Sequence, residues 1–202
     1  MTRPHTQTDL SALLGSRICH DLISPLGAIG NGLELLTLTG LNDDSPEFAL
    51  MAQSVEAANA RIRLFRIAFG QSSTGQTVPV SDLSDILDTG FASRRLRLTH
   101  SLPTVISRDE ARIALLALLT VETALPLGGD LTLAQDGGVW TLTARAKRIG
   151  ADPRLWASLD SGQTPAGLSP AEVQFALLPA AVAKAGRQLS VTRTETSLSL
   201  RF

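Results

Sequence analysis

The chain has 202 residues, 44% of them hydrophobic and 18% charged, with a formal net charge of −1; it is therefore not a disordered chain and carries no general basic surface for nucleic acid. Its single cysteine excludes a disulfide framework within the chain and a cysteine-based zinc site. The longest apolar run, 113–121, is too short to span a bilayer and the N-terminus lacks a signal peptide's apolar stretch, so we expect a cytoplasmic protein without nucleic-acid or membrane partners.

Residues 1–70 are predicted to form a hairpin of two helices. Apolar residues recur every three or four positions over 10–36, and Gly40 is predicted to end this first helix. Ser45 is predicted to cap the second helix, whose apolar positions step by three and four over 48–69. A hairpin has one interface of its own, so the heptad stripe over about 25 residues and the further exposed leucines predict a homodimer in which two hairpins form a four-helix bundle.

Residues 71–78 are small and polar and are predicted to be a linker, followed by a second domain over 79–202. Runs of strands interrupted by helices favour an α/β sandwich there, which makes the whole chain α+β. The predicted elements, in order, are a helix capped by Ser81 (81–90), a strand (95–102), a helix that begins with a capping box of Ser107 and Glu110 (107–125), two strands (131–134 and 139–146), two helices (153–159 and 169–186) and two strands (188–193 and 197–202). The helix over 169–186 is predicted to begin with a capping box of Ser169 and Glu172.

The first helix contains an unusually unfavourable segment. Pro25 in a helix interior costs about 3 kcal/mol, and Gly27, Gly30 and Gly32 cost roughly 1 kcal/mol each relative to alanine. A helix kept only for packing is a poor place for such residues, which suggests a functional role for the segment. The alternative is a purely structural one, a kink that dimerisation stabilises.

His20 precedes this segment in the chain, and its side chain is predicted to point into solvent. At 100° per residue it lies about 200° from the apolar stripe, and a neutral imidazole at cytosolic pH has a free ring nitrogen that can act as a nucleophile. Asp21 could orient the ring or balance its charge, and Arg17 could help to hold a phosphoryl group. Cys19 diverges from His20 by about 100°, so a thiol–imidazole pair is not expected. The residues predicted to share the outward face and to contact a partner protein are Leu13, Ser16, Arg17, Ile23, Ser24, Gly27 and Asn31.

The heptapeptide from His20 to Leu26, His-Asp-Leu-Ile-Ser-Pro-Leu, resembles the phosphoacceptor box of two-component histidine kinases. The wider segment CHDLISPLGAIGNGLELL resembles ChpT-type histidine phosphotransferases of alphaproteobacteria. The resemblance implies a phosphorelay protein of the cell cycle, with His20 and Asp21 as catalytic residues. It also implies as partners the receiver domain of a hybrid histidine kinase and downstream response regulators, and Mg²⁺ on the receiver with no cofactor bound by this chain.

The second domain resembles the ATP-binding sandwich of histidine kinases in element order but lacks its nucleotide motifs. The stretch 115–125 has no asparagine to hold Mg²⁺, and an Asp-x-Gly-x-Gly loop is absent. Glu122 alone is weak evidence for a metal site. We therefore expect no ATP binding, and two alternatives stay open: an ATP-dependent sensor kinase core and a non-catalytic scaffold that binds receivers.

Overall fold

The predicted hairpin is present in the computed structural model, which describes residues 9–39, 46–73, 75–91, 95–150 and 152–202. Its helices are α1 (Leu10–Thr39) and α2 (Pro46–Ala68). The Asp9 carboxylate caps α1 by accepting hydrogen bonds from the backbone N–H groups of Ser11 and Ala12. The predicted boundary residues Gly40 and Ser45 lie outside the described residues.

Helix α1 continues through Pro25 without a break in its helical assignment. The two helices come close at Gly32, where a Cβ atom would lie 2.9 Å from Met51 Sδ. Gly27 and Gly30 are exposed, and a Cβ atom at either position would meet no other atom of the described residues within 4 Å. Only one of the three glycines is thus required by the packing of the hairpin.

The second domain is built on a five-stranded sheet, which confirms the predicted α+β class. The strands in spatial order are β2 (Leu96–Ser101), β4 (Gly129–Asp136), β5 (Val139–Arg145), β7 (Ser197–Arg201) and β6 (Ser190–Arg193). The pair β2–β4 is parallel and the other neighbours are antiparallel. Between β4 and β5, Gly137 and Gly138 both have positive φ values, as a two-residue hairpin turn of type I′ requires.

A second, two-stranded sheet pairs β1 (Thr77–Val78) with β3 (Ile106–Ser107) in antiparallel register. The prediction that 71–78 is all linker is wrong at its end, because β1 occupies the last two residues. Two-residue strands carry no periodic pattern, so the pairing depends on contacts that the sequence does not display.

Four helices complete the second domain: α3 (Val80–Gly90), α4 (Arg108–Thr123), α5 (Pro153–Ser161) and α6 (Gln174–Lys184). The predicted helix 169–186 is divided, because its capping box closes a 3₁₀ turn (Pro170–Glu172) before α6 begins. Helix α3 starts one residue before Ser81, so the predicted cap at Ser81 is wrong.

Helix α4 is the centre of the core. Its residues 113–121 are all fully buried, and the C-terminal part of α2, with Leu64, Phe65 and Ile67, belongs to the same hydrophobic cluster. The hairpin is therefore joined to the second domain through a shared core. In the described ranges, every helix is too short or too polar to cross a membrane.

The predicted capping box of α4 forms and extends into a polar network. The Glu110 Oε2 atom accepts hydrogen bonds from the Ser107 hydroxyl and backbone N–H, and Oε1 accepts from Arg187 Nη2 at 2.6 Å and from Trp140 Nε1 at 3.5 Å. Burial by itself raises the pKa of Glu110, but the bonds from Ser107 and Trp140 and the charge of Arg187 outweigh it and lower the pKa below its ordinary value. The network joins the start of α4 to strand β5 through Trp140 and to the segment before β6 through Arg187.

Candidate functional site

His20 lies on the outward face of α1, as its helical position predicts. Its side chain is 85% exposed, although the neighbouring Asp21 side chain is only 11% exposed. Cys19 is also exposed. The helix thus presents the imidazole to solvent while the adjacent carboxylate faces protein.

The Asp21 carboxylate contacts three cationic or titratable side chains. Its Oδ2 atom lies 3.0 Å from Arg17 Nε and 3.3 Å from Arg61 Nε, and its Oδ1 atom lies 3.5 Å from His20 Nδ1. Two guanidinium groups therefore balance the charge of this largely buried carboxylate, and one carboxylate oxygen faces the imidazole.

Arg17 differs from its predicted position. It was expected on the exposed face beside His20, but it is only 7% exposed. Its long side chain turns toward Asp21 through Nε and toward the second domain, where Nη1 donates a hydrogen bond to the Ala171 carbonyl at 2.8 Å. The prediction that Arg17 lies on an open docking face is wrong, because a flexible arginine stem reaches partners well away from its Cα position.

Most of the other predicted contact residues do share an open surface with His20. Leu13 is half-buried and packs against the core cluster, so it is only partly available to a partner. The exposed members of this surface, called the His20 face below, are Ser16, Ile23, Ser24, Gly27 and Asn31.

Arg61 on α2 is a site residue that sequence reasoning missed. It contacts Asp21 and also Glu122 on α4, with Nη2 lying 3.3 Å from Glu122 Oε2. Helical periodicity places Arg61 on α2 but gives no information on which residues of α1 and α4 it meets. The only available signal was a basic residue between apolar positions of the second helix.

Glu122, considered above as a weak metal candidate, is accordingly the partner of an arginine. Across the described residues, no group of three or more His, Cys, Asp or Glu side chains is arranged to hold a metal ion. Arg61 and Asp21 also line an open cavity of about 410 Å³ between α1, α2 and the end of α3, which Ser24, Gln53 and Gly90 border as well. Asp21, which contacts the His20 imidazole, thus also forms part of the wall of this cavity.

Comparison with known proteins decides the family. Residues 80–197 match the family model described as the histidine phosphotransferase C-terminal domain. The chain belongs to the histidine phosphotransferase family. It is a phosphotransferase of two-component phosphorelays, which confirms the function and the family that the wider segment CHDLISPLGAIGNGLELL suggested.

Comparisons with individual proteins cover more of the chain than the second domain. The phosphotransferase is 36% identical over 165 residues to the protein phosphotransferase ChpT of Brucella abortus (strain 2308), covering 78% of this chain and 77% of that protein. A structure described as a bacterial phosphotransferase aligns with a TM-score of 0.77 and 30% identity over 100% of this chain and 98% of the other. The histidine kinase AdeS of Acinetobacter baumannii aligns with a TM-score of 0.43 and 12% identity, over 90% of this chain and 95% of that one.

Proposed function

We propose that the phosphotransferase carries the phosphoryl group on His20, taking it from the aspartyl phosphate of one receiver domain and passing it to the aspartate of another. The observation that carries this proposal is the contrast between an 85% exposed imidazole and the 11% exposed carboxylate beside it. A nucleophile must be open to reach an aspartyl phosphate inside a receiver, while the group that orients it must be held still.

The transfer step balances without proton release. The lone pair of His20 Nε2 attacks the phosphorus atom, the bond between phosphorus and the aspartyl oxygen breaks, and its electron pair returns to the receiver carboxylate. The proton on Nδ1 stays, so the ring becomes cationic, and Asp21 Oδ1, 3.5 Å from Nδ1, balances this charge. Mg²⁺ bound to the receiver would supply neutralisation of charge on the transferring phosphoryl group.

The His20 face is proposed as the receiver-docking surface. Ser16, Ser24 and Gly27 are small and exposed, so another protein can approach the backbone of α1 closely, and Ile23, which is 67% exposed, offers an apolar contact. Arg17 supports this surface indirectly by holding Asp21. The proposed donor is the receiver of a hybrid histidine kinase, and the proposed acceptors are response regulators of the cell cycle in the cytoplasm.

We further propose that the chain does not use ATP. In the stretch where a kinase would present asparagine to Mg²⁺, the carboxylate of Glu122 is paired with Arg61 of the hairpin. A carboxylate committed to an arginine is poorly placed to serve a metal–nucleotide complex as well. The phosphoryl group would therefore come from a receiver alone.

The experiment is incubation with a receiver carrying labelled phosphate on its aspartate, followed by measurement of acid-labile, alkali-stable label on the phosphotransferase. We expect label on the wild type and none on His20→Ala. His100→Ala is the matched control, because His100 lies in the second domain, 3.0 Å from Asp88, and should leave the label unchanged. Label on His20→Ala, or incorporation from γ-labelled ATP without a receiver, contradicts the proposal.

A homodimer is proposed from the unburied apolar side chains of the hairpin. Leu26 and Leu33, seven residues apart on α1, are 59% and 53% exposed; Val55 and Ile62, seven apart on α2, are 43% and 49% exposed. Heptad spacing on both helices is typical of helices that pack into a bundle. These four residues lie away from His20, so a second hairpin could cover them and leave the imidazole open.

Light scattering after gel filtration tests the dimer. The wild type is expected at twice the mass of one chain, and Leu33→Asp at the mass of one chain. Leu127→Asp alters a comparably exposed leucine of the second domain, 66% exposed, and should remain dimeric. A wild-type mass of a single chain at micromolar concentration would refute the dimer but not the role of His20.

A further inference from the structure

Arg61 is held in one orientation by contacts with three elements. Its Nε lies 3.3 Å from Asp21 Oδ2 on α1, its Nη1 donates to the Gly90 carbonyl at the end of α3 at 3.3 Å, and its Nη2 lies 3.3 Å from Glu122 Oε2 on α4. The planar guanidinium can donate in several fixed directions at once, which a lysine ammonium cannot match.

Two aromatic rings complete the surroundings of Arg61. Its guanidinium carbon lies 5.8 Å from the centre of the Phe65 ring and 5.9 Å from that of Phe91, and its side chain is only 18% exposed. Partial desolvation strengthens both the cation–π contacts and the pairing with carboxylates. Arg61 is therefore itself held in place, and together with Arg17 it contacts Asp21 Oδ2.

The two oxygens of the Asp21 carboxylate have different partners. Arg17 and Arg61 both contact Oδ2, which leaves Oδ1 toward His20 Nδ1. An acceptor beside Nδ1 favours the tautomer whose proton sits on Nδ1 and leaves the lone pair on the exposed Nε2. If Asp21 were free to rotate, this preference would be lost.

We propose that Arg61 is a positioning residue for phosphoryl transfer: it holds Asp21 so that its Oδ1 atom keeps the proton of His20 on Nδ1 and Nε2 unprotonated. The proposal rests on the proposed role of His20 as phosphoacceptor. In this role Arg61 acts through Asp21 and not by contact with the reacting atoms. Because Glu122 and Gly90 hold its other end, the reactivity of His20 depends on the docking of the second domain against the hairpin.

The tautomer of His20 in the full-length ¹⁵N-labelled protein is the first measurement. Long-range ¹H–¹⁵N spectra distinguish a protonated from an unprotonated ring nitrogen, and the His20→Ala variant assigns the signal. We expect the Nδ1–H form in the wild type, a shift toward the Nε2–H form in Arg61→Gln, and an intermediate state in Arg61→Lys. Arg66→Gln, at an exposed position of the same helix, is the matched control and should leave the ratio unchanged.

The rate of transfer from a labelled receiver is the second measurement. We expect Arg61→Gln to be slower by roughly tenfold, the lower end of the loss seen when a partner that orients a metal-binding histidine is removed. A folded Arg61→Gln with an unchanged tautomer ratio, or a wild type with the proton on Nε2, overturns the proposal. If Arg61→Gln does not fold, Glu122→Gln, which removes only the far partner of Arg61, must shift the ratio in the same direction, and an unchanged ratio overturns the proposal.

The outcomes separate this proposal from the one on which it rests. Loss of label in His20→Ala together with an unaltered tautomer in Arg61→Gln refutes the positioning role and leaves His20 as the phosphoacceptor. Label that persists in His20→Ala refutes the phosphoacceptor itself, whatever Arg61→Gln does.

Discussion

The glycines of α1 meet different surroundings, and alanine substitutions should separate them. Among the described residues, no atom lies within 4 Å of a Cβ built on Gly27 or Gly30. At Gly32 the added atom would overlap the Met51 side chain, with Sδ at 2.9 Å, while the Glu47 carbonyl lies at 3.6 Å. Only the substitution at Gly32 therefore forces a neighbour to move.

The magnitudes follow from two opposing terms. Alanine in place of glycine in a helix interior is favourable by about 1 kcal/mol, which raises Tm by about 2–4 °C for a chain of this size. At Gly32 the same gain is opposed by overpacking against Met51, which costs about 1–3 kcal/mol. We therefore expect Gly27→Ala, away from the face proposed for dimerisation, to stabilise the protein and Gly32→Ala to leave it unchanged or destabilise it by up to about 2 kcal/mol.

Denaturant unfolding monitored by circular dichroism measures both changes in the free energy of unfolding. A double variant, Gly32→Ala with Met51→Ala, removes the overlapping side chain and should show a favourable coupling relative to the two single variants. Stabilisation of Gly32→Ala equal to that of Gly27→Ala would refute the close approach of Met51. Destabilisation of Gly27→Ala would refute the open surroundings of Gly27.

Three further predictions concern other parts of the molecule. The folded-state pKa of Glu110 is lowered from its ordinary value of 4.5. The ionised carboxylate therefore stabilises the fold above pH 4.5, and this stabilisation is lost as the pH falls through the folded-state pKa. Between pH 7 and pH 3, Tm should accordingly fall less steeply in Glu110→Gln than in the wild type. Phe175→Ala removes a fully buried ring whose centre lies 5.7 Å from that of Trp156, edge to face, and should lower the free energy of unfolding by about 3–5 kcal/mol in denaturant titrations. A loss below about 1 kcal/mol would contradict the central place of this ring in the core. Cys19→Ser alters an exposed thiol whose helical position diverges by about 100° from that of His20, and transfer assays should give the wild-type rate; a loss comparable to that of His20→Ala would assign the thiol a role in the reaction.

Features that depend on one helix or one turn could be predicted from the sequence. The exposure of His20 follows from the spacing of the apolar stripe, and the Ser107–Glu110 capping box follows from two residues three positions apart. In the same way, Gly137 and Gly138 sit between two alternating segments and adopt the positive φ values that a tight hairpin needs. Such features need no knowledge of the tertiary structure.

Features that depend on how elements meet could not be predicted. Arg17 has the helical position of an exposed residue but is buried, because its side chain reaches the Ala171 carbonyl of the second domain. The pairing of Arg61 with Asp21 and Glu122 joins residues far apart in the chain, and no spacing in the sequence marks them as neighbours. The exposed His20 and the neighbouring Asp21 could thus be predicted from the sequence, whereas Arg61, which contacts Asp21 from the second helix, could not.

The exposed imidazole of His20 also has a kinetic consequence. It offers a single ring nitrogen on a single surface, since Nδ1 faces Asp21, so a phosphorylated receiver and an unphosphorylated one must use the same atom in turn. The relay proposed above would therefore follow a ping-pong scheme, in which each receiver leaves before the next one binds. An excess of unphosphorylated donor would then inhibit the second half of the exchange by competition, and the ratio of the two receivers would help to set the flux through the histidine.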